Sequence, residues 1–166
     1  MTLVEAAAKA DELAQSGAER ELASLRQQWD DELESAARSP DYRNRAVAYR
    51  AIGQFRFRQK LELLRRGLED DSPAVRGSAL VSVQLLSKDS PGLVNSMRPL
   101  LHTMASADAN QAVRRLAIVC LRNGSPQRET IVLLSGLAES DEEEPQLRQA
   151  ARTVAADLRK RAGPKG

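Results

Sequence analysis

The sequence predicts an all-α fold of about four helix pairs behind an N-terminal helix. Three observations carry this: serine–proline and capping-box signals at regular intervals, apolar residues recurring every three or four positions, and an Arg-x-x-Ala motif repeated along the chain. The 166 residues are 42% hydrophobic, which excludes a disordered chain, and nine glycines and seven prolines are too few for collagen-like or loop-rich β architectures.

Helix starts come first. Ser39-Pro40, Ser72-Pro73, Ser90-Pro91, Ser125-Pro126 and Glu144-Pro145 each precede an apolar pattern of helical period. A serine hydroxyl can accept an orphan amide, and proline suits the first helical position because its missing N–H has no partner there. Capping-box spacing adds Thr2 with Glu5, Ser16 with Glu19 and Ser140 with Glu143. Periodicity then supplies the bodies. Leu22, Leu25, Trp29 and Leu33 form one stripe; Leu93, Met97, Leu100, Leu101 and Met104 form another; Val113, Leu116, Ala117, Cys120 and Leu121 a third; Leu147, Ala150, Ala151, Val154 and Leu158 the last. These signals place nine helices near 2–15, 18–37, 41–54, 57–68, 73–87, 91–105, 109–122, 126–138 and 143–161, with a mobile tail over 163–166. The first, with Leu3, Ala6, Ala7, Ala10, Leu13 and Ala14, has a narrow small-residue stripe suited to a close-packed cap over 1–17.

The repeat sets the helices in pairs. Asn44-Arg45-Ala46-Val47-Ala48, Val75-Arg76-Gly77-Ser78-Ala79, Val113-Arg114-Arg115-Leu116-Ala117 and Leu147-Arg148-Gln149-Ala150-Ala151 align on an arginine followed three residues later by alanine. The arginines are 31, 38 and 34 residues apart (45 to 76, 76 to 114, 114 to 148), the length of a two-helix unit. The pairs are 18–54, 55–88, 89–123 and 124–161, in a single domain over 1–162. At 100° per residue, Arg45, Arg114 and Arg148 lie about 90° to the same side of their apolar stripes, and Arg76 slightly less. One arginine per unit on one flank predicts a structural ladder, with Asp70, Asp108 and Glu142, each six residues before an arginine, as partners together with turn carbonyls.

Glu69-Asp70-Asp71-Ser72-Pro73-Ala74-Val75-Arg76 resembles the turn and second-helix start of the HEAT repeat family, and Pro99 resembles the proline of many HEAT first helices. The resemblance spans about 18–161, with Asn44 and Ala155 departing from the pattern in the first and last units. It implies a short right-handed superhelix, a comparable Asp/Arg ladder, and a concave face lined by second helices. A repeat unit cannot cover its own apolar face, so stacking supplies the core.

Chemistry-bearing residues are few. His102 is the one histidine and Cys120 the one cysteine, on helices, Cys120 on an apolar stripe. No ordinary transition-metal set, phosphate loop or nucleophile constellation can be built from them, so no catalytic residue, metal or cofactor is expected. The opening residues lack a basic start and apolar run, and no stretch reaches the length of a spanning helix, so neither signal peptide nor membrane segment is expected; the expected location is cytoplasmic.

Charge is segregated. Residues 1–41 hold ten acids and four bases, 42–68 one acid and eight bases, and 129–144 six acids and no base. Arg43, Arg50, Gln84, Arg115, Arg122 and Arg152 lie away from the apolar stripes and form the expected contact set of a scaffold or adaptor that binds a protein or peptide on its concave surface. Arg56, Arg58, Lys60, Arg65 and Arg66 are the alternative, an anion-binding block that a nucleic-acid-associated protein would use, or else a solvated block neutralised by the acidic N-terminal helices. A lyase-like or chaperone-type helper, and a piece of a longer repeat array, are further readings; the expected state is monomer or weak oligomer.

Overall fold

The computed structural model describes residues 1–164. Among these the chain is all-α, with α1 (Leu3–Ser16), α2 (Glu19–Ala37), α3 (Tyr42–Gln54), α4 (Leu61–Leu68), α5 (Pro73–Ser87), α6 (Pro91–Ala107), α7 (Gln111–Leu121), α8 (Arg128–Glu139) and α9 (Pro145–Ala162). The expected tail begins at Gly163, in the left-handed region at φ 78°; positions 165 and 166 lie outside the described residues. The helices gather into two compact units, Met1–Leu86 and the chain from Ser87 onward.

In the first unit α1 packs on both α2 and α3. Its Ala6, Ala7 and Ala10 are buried, and their small side chains let the helix axes approach closely. Leu22, Leu33, Ile52, Phe55, Leu64, Leu68, Leu80 and Val83 form the core beneath. The second helices α3 and α5 meet at Gly53, where an added Cβ would lie 2.8 Å from the Ser82 Cα. The Gly53 N–H donates to Ser82 Oγ at 2.9 Å, so the close approach also satisfies a buried hydroxyl.

The second unit repeats the scheme: α6 packs on α7, α8 on α9, and the second helices α7 and α9 on each other. Met97, Leu101, Ile118, Leu121, Leu134, Leu147 and Leu158 fill it. Cys120 is fully buried, and burial pushes its thiol up to about 12, so it is a core residue with no thiolate at neutral pH. Pro99 sits inside α6 as anticipated.

Several starts differ from the sequence reading. Thr2 caps α1 as expected, accepting the Glu5 amide at 3.2 Å. Ser16 does not cap α2; its hydroxyl donates to the Leu13 carbonyl, and α2 begins after a left-handed Gly17 with no side-chain cap. The cap of α3 is Asp41, one residue past Pro40, and α8 starts two residues after Pro126, at Arg128. The largest shift is α4, which begins at Leu61 rather than 57. The Arg56 and Phe57 amides donate to the Gly53 and Ile52 carbonyls, and Arg56 takes φ 59°, the signature of a Schellman ending. Phe55 and Phe57 are both buried, ring centroids 5.4 Å apart, and this pins the turn before α4 can begin.

Candidate binding surface

Each aligned arginine reaches back to the carbonyls that end the preceding helix or form the turn before its own. Arg45 donates to the Ser39 and Pro40 carbonyls at 3.0 and 3.1 Å, and Arg76 to the Asp70 and Asp71 carbonyls at 2.9 and 3.1 Å. Arg114 donates to Ala105 at 2.9 Å and Arg148 to Ala138 at 3.3 Å. Carbonyls at a helix C-terminus lack intrahelical donors, so a guanidinium there meets both their hydrogen-bonding need and the helix dipole.

Forward contacts to acids of the next turn are present as well. Arg45 forks onto Asp70 with two bonds of 3.0 Å, and Arg114 forks onto Glu143. Burial raises the Asp70 carboxyl, but the Arg45 bond, the Ser72 amide and the charges of Arg45 and Arg76 outweigh it and hold the group below the usual range. The bond from Arg114 holds Glu143 down in the same way. The partner of Arg114 is thus Glu143, not the expected Glu142, because Glu143 is the acid that the α8–α9 turn leaves half-buried beside the guanidinium. Asp108 accepts the Asn110 amide at 2.9 Å.

The residues of the basic block take different partners. Arg56 bonds Asp11 at 2.9 Å and the Gly53 carbonyl at 2.8 Å, so it both closes the end of α3 and ties down α1. Lys60 lies between Asp30 at 2.6 Å and Glu34 at 3.0 Å, 4.9 Å over the Phe57 ring. Arg58 donates to the Leu86 carbonyl at 3.1 Å. Arg65 is half-buried, and Arg66 is exposed near the end of α4, where a cation suits the dipole. Within this block the α1 and α2 carboxylates meet Arg56 and Lys60.

The expected contact residues behave differently. In the first unit Arg43 and Arg50 stand on the exposed face of α3; Arg43 pairs at 3.2 Å with its neighbour Asp41 while its side chain stays 76% exposed, and Arg50 has no ion pair among the described residues. Gln84 is half-buried on α5. In the second unit Arg115 comes within 3.8 Å of Glu144, Arg122 within 3.5 Å of Asp157, and Arg152 donates to Gln149 at 3.0 Å. Exposed pairs of this kind contribute about 0–1 kcal/mol, so an incoming carboxylate can displace them.

Arg43 and Arg50, Arg115 and Arg122, and Arg152 and Arg159 are each seven residues apart, about two helical turns, and so share a face. Arg159 was missed in the sequence reading, although this spacing would have found it. Also missed was Arg98, a residue 5% exposed whose guanidinium has no carboxylate partner among the described residues. It donates to Thr130 Oγ1 at 2.6 Å, to the Ser125 carbonyl at 3.1 Å and to Asn95 Oδ1, while its Nε is unpaired. His102 Nε2 meets the same Thr130 hydroxyl at 2.8 Å. Because Arg98 only donates, the hydroxyl proton is left for a neutral His102 to accept. Burial depresses the imidazole pKa, Arg98 adds to that, and Glu129 of α8 opposes it.

No helix is long and apolar enough to cross a membrane, and no group of three His, Cys, Asp or Glu side chains is placed to hold a metal, among the described residues. No curated protein and no solved structure matches the chain. A family model described as HEAT repeats matches residues 30–104, from the second half of α2 to the last turn of α6. That match makes residues 30–104, where arginine-bonded turns close the helix pairs, similar to HEAT repeats.

Proposed function

We propose that the protein is a non-enzymatic scaffold that holds a protein or peptide partner through the arginines on its second helices. HEAT repeats are in general protein-interaction scaffolds, and the likeness of residues 30–104 to them supports that class. The observation that carries the specific reading is the division among the arginines. Arg45, Arg56 and Arg114 are bound to carboxylates inside the fold, whereas Arg43, Arg50, Arg115, Arg122 and Arg152 present guanidinium groups outward with weak local partners or none. Forked guanidinium groups two turns apart suit carboxylates on a partner, so the partner presents an acidic surface or an acidic helix. His102, bonded to a hydroxyl, and Cys120, fully buried, leave the chain's two most versatile side chains in structural positions.

The test is affinity capture from the native cell extract, with a nuclease-treated arm. Arg50→Glu with Arg115→Glu is expected to lower capture of an acidic protein by about tenfold or more while leaving thermal unfolding nearly unchanged. Equal capture by both forms overturns the assignment. Capture that vanishes after nuclease treatment supports the nucleic-acid reading instead, for which Arg45, Arg56 and Lys60 are poorly disposed because their charges are already matched.

A further inference from the structure

The twelve-residue α8 buries Thr130, Leu134 and Ala138 and turns another face outward. That face carries Arg128, Ile131, Val132, Ser135, Gly136 and Glu139, which with Arg159 and Gly163 line an open groove of about 630 Å³. On the helical wheel Arg128, Val132, Ser135 and Glu139 fall within about 60° of one another, flanked by Ile131 and Gly136. Val132 is 62% exposed, and a Cβ added at Gly136 would meet nothing within 4 Å, so the notch is open.

Two features give this face a direction. Arg128 is the first residue of α8 and Glu139 the last, so each charge opposes the helix dipole at its own end. Neither helps α8 as an isolated helix. An antiparallel copy of the same face corrects both, because it sets Glu139 beside the N-terminus of its neighbour and Arg128 beside the C-terminus. The same register, centred between Leu133 and Leu134, places Ile131 opposite Gly136 and Val132 opposite Ser135, a large side chain against a small one at each contact.

We propose that two copies of this chain associate through α8, laid antiparallel, with Arg128 of each copy paired to Glu139 of the other and Ile131 seated in the Gly136 notch. The interface is isologous, so it closes as a dimer and does not propagate. Three helical turns bury less than the about 1,200 Å² of a standard stable interface, which makes the dimer weak and concentration-dependent. Arg43, Arg50, Arg115, Arg122 and Arg152 are not required for it, and the two readings stand or fall separately.

The experiment is sedimentation of the full chain across a concentration series, with charge-exchange variants. Wild type is expected to pass from monomer to dimer, and no further, as concentration rises. Arg128→Glu alone and Glu139→Arg alone each oppose like charges at two symmetric places and weaken the dimer by about tenfold or more. An equimolar mixture of those two variants restores association as a heterodimer, and the double variant restores self-association, because every opposed pair is again unlike. Gly136→Leu fills open space, so it raises thermal stability while abolishing the dimer. A mass that stays monomeric throughout, an open-ended assembly, or a dimer indifferent to the charge exchanges would each overturn the proposal; the first is also what a groove made for some other occupant would give.

Discussion

Lys60 in the first unit and Arg98 in the second are both withdrawn from water, and the two units hold them in opposite ways. The Lys60 side chain is 12% exposed and lies between two carboxylates, Asp30 and Glu34, that themselves keep 47% and 30% of their surface. Its charge is matched inside the fold, and its carboxylates remain partly hydrated. Burial alone would lower its pKa, but the bonds to Asp30 and Glu34 raise it overall. Arg98 is more deeply buried and is held by a hydroxyl, a side-chain amide and a backbone carbonyl. Burial lowers its pKa against a weak opposing pull from Glu129. The second unit can build an ion pair, as Arg114 with Glu143 shows, so the neutral cage around Arg98 is a property of that site. A matched pair at half-exposed positions tolerates disturbance, since water can re-enter; a cation solvated by neutral dipoles depends on each of them.

The largest test of this contrast is truncation of the two cations. Arg98→Ala is expected to cost about 3 kcal/mol, because it takes one buried donor each from Asn95 Oδ1, Thr130 Oγ1 and the Ser125 carbonyl and opens a cavity. Lys60→Met is expected to cost only about 1 kcal/mol, because the methionine stem keeps the packing against Phe57 and water reaches the carboxylates. Chemical denaturation measures both. Equal losses would mean that the neutral cage has no special standing.

The smallest effect is one of pH. The His102 pKa lies below its ordinary value of 6.5, so the unfolded chain takes up a proton before the folded one does. The stability that His102 contributes is present above about pH 6.5 and is lost as pH falls from there through the lowered folded value. A charged imidazole would need to donate to Thr130, compete with Arg98 for the same oxygen, and place a second cation beside it. Asp70 in the first unit, also lowered, starts to lose its contribution only below about 3.8. Between those two values the amide-exchange protection factors, which are corrected for the slower intrinsic exchange at lower pH, should therefore fall in α6 and α8 while those of the first unit hold, and His102→Gln should abolish the difference. Uniform acid sensitivity across both units would break the comparison.

How far the fold was legible follows from the range of the forces involved. Helix bodies depend on neighbours three and four residues apart, and all nine fall within a few residues of the positions read from periodicity. Prolines at first helical positions and the Arg-x-x-Ala motif were equally local signals. The start of α4 was not legible, because a left-handed arginine and two buried phenylalanines end α3, and nothing in the string marks Arg56 as taking φ 59°. The candidate surface was half legible. A wheel separates outward from inward arginines, as it did for Arg43, Arg50, Arg115, Arg122 and Arg152, but it assigns no partners.

The amino-acid string by itself determined the all-α class, the pairing period and the arginine that closes each turn, since these rest on a recurring local motif whose turn bonds span ten residues or fewer. Only the tertiary structure decided which partner each inward charge takes. Asp11 stands 45 residues from Arg56, Asp30 30 residues from Lys60, and Thr130 32 residues from Arg98. Side chains so far apart in sequence become neighbours only when helices pack, and at that distance a carboxylate and a hydroxyl are equally plausible partners until the packing chooses one.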